Sequence, residues 1–144
     1  EALQLFAAVS NEPNRLGALY NLATLARERG DAATATELYA AAIGLAGRLG
    51  QLDVHVGALG GAGLAELDLG VARGPREQLA AATELLGTRR DWWFQGRELL
   101  EALRIRLLAA SGDVAGAAAL LHDALARAEA HDNYAAVWLA AECA

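Results

Sequence analysis

Apolar residues recur along this chain at three- and four-residue intervals, the spacing that lays one stripe down the side of an α-helix. In residues 1–10 the stripe is Ala2, Leu3, Phe6 and Val9, and it is interrupted at Asn11, Pro13 and Asn14. Proline removes a backbone donor and constrains the residue before it, so a new element starts there. The next stripe, Leu19, Leu22, Ala23, Leu25 and Ala26, predicts a helix over 15–29 that Gly30 terminates. Asp31 is placed to cap a following helix over 32–49, with Ala35, Leu38, Tyr39, Ala42 and Leu45 inward. Further helices are predicted over about 53–69, 75–88, 93–110, 114–130 and 132–144, eight in all. In the third pair, Leu100, Leu103, Leu107 and Leu108 are expected to face Ala117, Leu120, Leu121 and Ala124, Asp113 repeats the capping role of Asp31, and Asp132 or Asn133 opens the last helix. The alternation of β-branched residues that marks strands is missing, and the fold class is all-α.

The turn glycines Gly30, Gly70 and Gly112 lie 40 and 42 residues apart, and two of them read Gly-Asp, in RERGDAATA and AASGDVAGA. A helix pair of this length cannot bury its apolar face alone, so successive antiparallel pairs are expected to stack into a solenoid with one curved working surface. Small alanines in the seams allow the axes to approach closely. The middle turn, with Gly70, Gly74 and Pro75 all able to break a helix, is phased differently from its neighbours.

These residues resemble the tetratricopeptide repeat family. Its pattern is matched by Leu19, Leu22, Ala23, Ala26, Gly30, Ala35, Tyr39 and Ala42 in the first complete repeat, and by Ala2, Phe6 and Val9 in the unit before it. A later repeat supplies Leu108, Gly112, Ala117, Leu121 and Ala124, although Glu101 and Arg104 stand where large apolar residues belong. The middle repeat matches least, with Leu59, Gly63, Gly70, Leu79 and Ala82, and with Pro75 at a small-residue position. The period also exceeds the family's usual length of about 34 residues. The resemblance implies a right-handed α-solenoid, in the manner of long-period repeats in bacterial multidomain regulators, where such a domain sits beside nucleotide-binding and DNA-binding modules and docks a partner. Its first helices would line the concave face.

On that face the candidate partner-binding residues are Tyr20, Asn21, Thr24 and Arg27 from the first repeat and Gly60, Gly61 and Leu64 from the middle one, with Trp92 and Trp93 as a further aromatic candidate. Tyr20 and Asn21 would clamp an extended peptide, the aromatic by area and the amide by bonding its backbone. The family's carboxylate clamp needs basic and amide side chains where this chain has Tyr20, Thr24 and Gly61, which argues against binding a chaperone tail. Gly57, Gly60, Gly61 and Gly63 fall on a predicted helix and serve either close helix contact or a flat floor that admits a partner's backbone. Trp92, Trp93 and Phe94, placed at a helix start, cannot all share one core face. They offer an interaction hot spot or packing between repeats.

Charge and chemistry narrow the role. The 144 residues carry 12 basic side chains, all arginine, against 18 acidic ones, for a net charge of −6, and this lacks the positive field that nucleic-acid binding needs. Apolar stretches break before the roughly 18 to 20 residues that cross a bilayer. The single cysteine, Cys143, makes no internal disulfide, and a cytoplasmic location follows as the expectation. His55, His122 and His131 lack the spacing of a metal site, and Ser10 and Ser111 sit at helix ends as caps rather than as nucleophiles. No cofactor, metal or catalytic activity is expected. The chain starts and stops in mid-pattern, as a fragment of a longer bacterial regulatory protein would, and its arginine-, alanine- and glycine-rich composition fits that source. The expected function is a non-enzymatic module that binds a protein, a peptide or another domain of its parent. The alternative is a structural spacer that self-associates through its unpaired end helices.

Overall fold

A computed structural model describes residues 11–71, 73–89, 91–131 and 133–144. The protein is all-α, with seven helices among the described residues: α1 (Glu12–Glu28), α2 (Ala32–Leu49), α3 (Leu52–Asp68), α4 (Gly74–Leu86), α5 (Arg97–Ala110), α6 (Val114–His131) and α7 (Asn133–Glu142). The helix expected over 1–10 lies outside the described residues, as does the capping candidate Asp132.

Local chemistry sets these boundaries. Asn11 Oδ1 accepts from the Asn14 amide at 3.3 Å, and Pro13 sits in the first turn, so α1 begins three residues earlier than predicted. Proline there gives up a donor that has no helical partner anyway. Asp31 and Asp113 cap as expected, accepting from the amides of Thr34 at 3.1 Å and Gly116 at 2.8 Å. The Thr34 bonds hold the Asp31 carboxyl below the usual carboxylate range. Gly30, Gly70 and Gly112 take positive φ values of 83°, 78° and 96°, which side chains disfavour and which turn the chain back after α1, α3 and α5. The prediction fails at α5, which starts at Arg97 rather than residue 93. Gly96 adopts a left-handed conformation at φ 100°, and the Arg97 amide bonds Phe94 O at 3.0 Å, so residues 91–96 form turns.

Each helix packs on its successor, and α1, α3, α5 and α7 also pack in series, whereas α2, α4 and α6 do not touch one another. The odd helices therefore make one continuous layer. One core joins Leu16, Leu19 and Ala23 to Ala35, Tyr39, Ala42 and Leu45, and to Ala58, Ala62 and Ala65. A second joins Leu99, Leu103 and Ile105 to Ala117, Ala124 and Ala128, and to Ala135 and Leu139. Leu100, predicted to face α6, turns instead to Val56, Leu59, Ala82, Leu86 and Phe94. Leu22 and Leu25, predicted inward, are 36% and 40% exposed, because the buried stripe of α1 is narrower than its apolar stripe.

Helix α3 lies at the centre and packs against α1, α2, α4 and α5. Every residue from Val56 to Ala65 is buried, as befits a helix that is apolar all round. Its glycines make this crowding sterically feasible. A Cβ on Gly60 would stand 2.6 Å from the Leu100 amide nitrogen, and one on Gly61 would strike the Tyr39 ring.

Candidate functional site

A groove of about 330 Å³ opens between α1 and α7. Tyr20, Asn21, Thr24 and Glu28 come from α1, Tyr134 and Trp138 from α7, and Gln95, Glu98 and Leu99 from the turn and first residues of α5. Three of the sequence candidates, Tyr20, Asn21 and Thr24, are thus brought together. They occupy one face of α1 because three- and four-residue steps return to the same side of a helix.

The wall beneath them is fixed by hydrogen bonding and ring packing. Thr24 Oγ1 donates to Tyr20 O at 3.1 Å and lies 2.9 Å from Tyr39 Oη. The Tyr20 and Tyr39 rings meet edge to face, with centroids 6.1 Å apart. Burial, then Tyr39 and the carboxylates of Glu98 and Asp53, raises the Tyr20 phenol above its ordinary range. Burial likewise pushes Tyr39 up to about 12, against the opposing bond from Thr24. Both phenols therefore stay neutral. Asn21 and Tyr134 are exposed, and Trp138 is half-buried. Glu28 and Glu98 are carboxylates, and no basic residue is among the described lining residues. The groove is thus an acidic, aromatic-walled trough.

Arg27 stands at one end of it in a four-membered ion-pair network. Its Nε lies 2.8 Å from Asp68 Oδ2, and its Nη2 bonds Glu142. Arg106 Nη1 reaches the same two carboxylates, at 3.3 Å from Asp68 and 3.0 Å from Glu142. Burial works to lower the Arg27 pKa, but its bond to Glu142 and the charges of Glu142 and Asp68 raise it on balance. Arg27 therefore ties α1 to α7 rather than offering a free cation to a partner. The network residues lie near the C-terminal ends of α1, α3, α5 and α7, so these four helices run in the same direction.

The remaining candidates lie elsewhere. Gly60, Gly61 and Leu64, named as concave-face candidates, are instead buried by the chain's own helices, and of the two readings of the glycines the structure has close helix contact rather than an open floor. Trp92 and Trp93 lie in the turn before α5 rather than on a helix, with Trp92 exposed, Trp93 half-buried and Phe94 in the core. The Trp92 ring lies 4.6 Å from that of Phe94, with the Arg89 guanidinium 5.9 Å away. Trp93 stacks on His131 at 6.4 Å and meets the Arg127 guanidinium at 6.0 Å. The two Trp93 contacts hold this segment against α6.

Beside them is a feature that the helical pattern conceals. Arg97 and Glu101, one turn apart on α5, are 1% and 0% exposed and pair at 2.9 Å. Arg97 also donates to Trp92 O at 2.8 Å, while Arg104 and Arg127 approach Glu101 at 3.7 and 3.4 Å. Burial, before any neighbouring charge, lowers the Arg97 pKa. The sequence signal was Glu101 and Arg104 at positions where the repeat pattern wants large apolar residues.

Among the described residues no group of three His, Cys, Asp or Glu side chains stands close enough to hold a metal ion. No helix among the described residues is long and apolar enough to cross a membrane. The Cys143 thiol is free and is pushed by burial up to about 11. No protein-family model, curated protein or solved structure matches the chain.

Proposed function

We propose that this chain is a non-enzymatic protein-interaction module of the tetratricopeptide-repeat kind, and that the groove between α1 and α7 is its concave face. A continuous layer of odd-numbered helices running one way, with even-numbered helices kept apart outside it, supports a stacked solenoid. The observation that carries the binding role is the trough itself, whose lining joins the exposed amide of Asn21 with Trp138, Tyr134 and two carboxylates. An amide can bond an extended backbone, an indole supplies contact area, and glutamates between aromatic walls favour a cation. The partner is thus an extended protein segment bearing Arg or Lys, in keeping with a docking role in a larger bacterial regulatory protein in the cytoplasm.

Selection from a random peptide library on the immobilised protein tests this. Sequences rich in Arg or Lys are expected, and Asn21→Ala together with Trp138→Ala should weaken the best of them roughly tenfold or more. Selection of acidic peptides, or affinity untouched by both changes, would overturn the assignment.

A second role, self-association, is favoured by one observation: α7 leaves Tyr134 68% and Val137 71% exposed. Light scattering over a dilution series separates the two, since a dimer that persists on dilution and is lost in Val137→Glu supports self-association.

A further inference from the structure

On the other side of α5 from the trough, α4 and α6 do not touch, and the valley between them holds a cleft of about 520 Å³. Five of its eight lining residues are Leu79, Ala80, Leu107, Leu108 and Leu120. The four leucines are only half-buried, so an apolar hollow is left open to water. The other lining residues are Ser111 and two arginines, Arg76 and Arg104, with no carboxylate among them. This runs against a molecule whose net charge is −6.

The positive charge here is under-compensated. Arg76 forms no ion pair among the described residues. Among the described residues Arg104 pairs only with Glu101, at 3.7 Å, beyond hydrogen-bond length, and that carboxylate already holds Arg97 at 2.9 Å and faces Arg127 at 3.4 Å. Three guanidiniums thus crowd one buried carboxylate, and of them Arg127 also meets Asp123 at 3.2 Å. An adjoining cavity of about 240 Å³ also borders Arg104, together with Arg97, Thr83 and Leu86. Arg76 is exposed and Arg104 is half-buried, so both guanidiniums can turn donors toward an anion at the mouth of the cleft and form charge-assisted hydrogen bonds to it.

We propose that this cleft binds a free, single-chain alkyl carboxylate, its hydrocarbon against Leu79, Leu107, Leu108 and Leu120 and its head group between Arg76 and Arg104. The paired guanidiniums beside an apolar hollow match a ligand with one anionic head and one hydrocarbon chain. The volume falls in the range of small-molecule pockets, roughly 300 to 1,000 Å³.

Calorimetric titration of the protein with decanoate, below its micellar concentration, tests the site, with decanol as the uncharged control and circular dichroism as the check on folding. Saturable one-to-one binding of decanoate is expected, roughly tenfold or more tighter than decanol. Arg76→Gln with Arg104→Gln should erase that preference while leaving decanol binding unchanged. Ala80→Phe, at an exposed position on the cleft wall, should block both ligands. Where the double variant does not fold, Arg76→Gln and Ala80→Phe singly carry the same expectations. Equal affinity for decanol, uptake without saturation, or indifference to Ala80→Phe would each overturn the proposal. So would binding only to vesicles containing phosphatidylglycerol, which would mark a lipid surface rather than a free carboxylate.

Discussion

Glycine serves opposite ends at two helical positions in this molecule. On Gly17 of α1 an added Cβ meets nothing within 4 Å, whereas on Gly60 of α3 it meets backbone atoms of Leu99 and Leu100 at 2.8 and 2.6 Å. Backbone cannot rotate away as a side chain can, so Gly60→Ala must part α3 from α5 and should cost roughly 1 to 3 kcal/mol. Gly17→Ala should instead gain about 0.5 to 1 kcal/mol by restricting the unfolded chain and favouring the helix. Urea unfolding of the two variants beside the parent protein checks both signs, and a stabilised Gly60→Ala would refute the seam. The sequence showed four glycines on one predicted helix but left their purpose open between contact and a floor. Burial on all sides decides it, and burial belongs to the neighbours α1, α2, α4 and α5 rather than to the glycines. Tyr20, Asn21 and Thr24 were legible as a group because their spacing alone puts them on one face. Tyr134, Trp138 and Gln95 were not, since only the return of distant helices brings them opposite.

At the scale of the helix, apolar periodicity and turn glycines predicted six of the seven described elements to within about three residues. α5 was missed by four because the periodicity runs on through Trp92, Trp93 and Phe94, and only the backbone of Gly96 shows where the helix starts. The same helix buries Arg97 and Glu101, an ionic pair where a repeat pattern predicts hydrocarbon. Removing one partner of a buried pair leaves the other charge stranded. Glu101→Gln should therefore destabilise by about 3 kcal/mol or more, since Arg97, Arg104 and Arg127 then face no carboxylate at that point. The joint substitution Arg97→Met with Glu101→Leu should cost less than Glu101→Gln alone, because well-packed apolar residues need no partner. Thermal and denaturant unfolding of the three proteins checks this, and a double variant less stable than Glu101→Gln would show the pair to be a net stabiliser.

For the molecule as a whole, helix backbones come close only between elements one or two places apart along the chain, yet an ion pair among the described residues spans far more. Arg27 on α1 meets Glu142 on α7, 115 residues away, with the two side chains only 10% and 19% exposed. Partly buried pairs are weakly screened, so the link should persist at high ionic strength. Arg27→Met should leave helix content unchanged and let α1 and α7 drift apart, read as a larger radius of gyration in small-angle X-ray scattering. An unchanged radius would show that helix packing alone sets the spacing of α1 and α7. Drawn out between its termini, the molecule should behave as a latched coil spring: one abrupt yield as the arginine lets go, then a softer extension as neighbouring helices peel apart in turn.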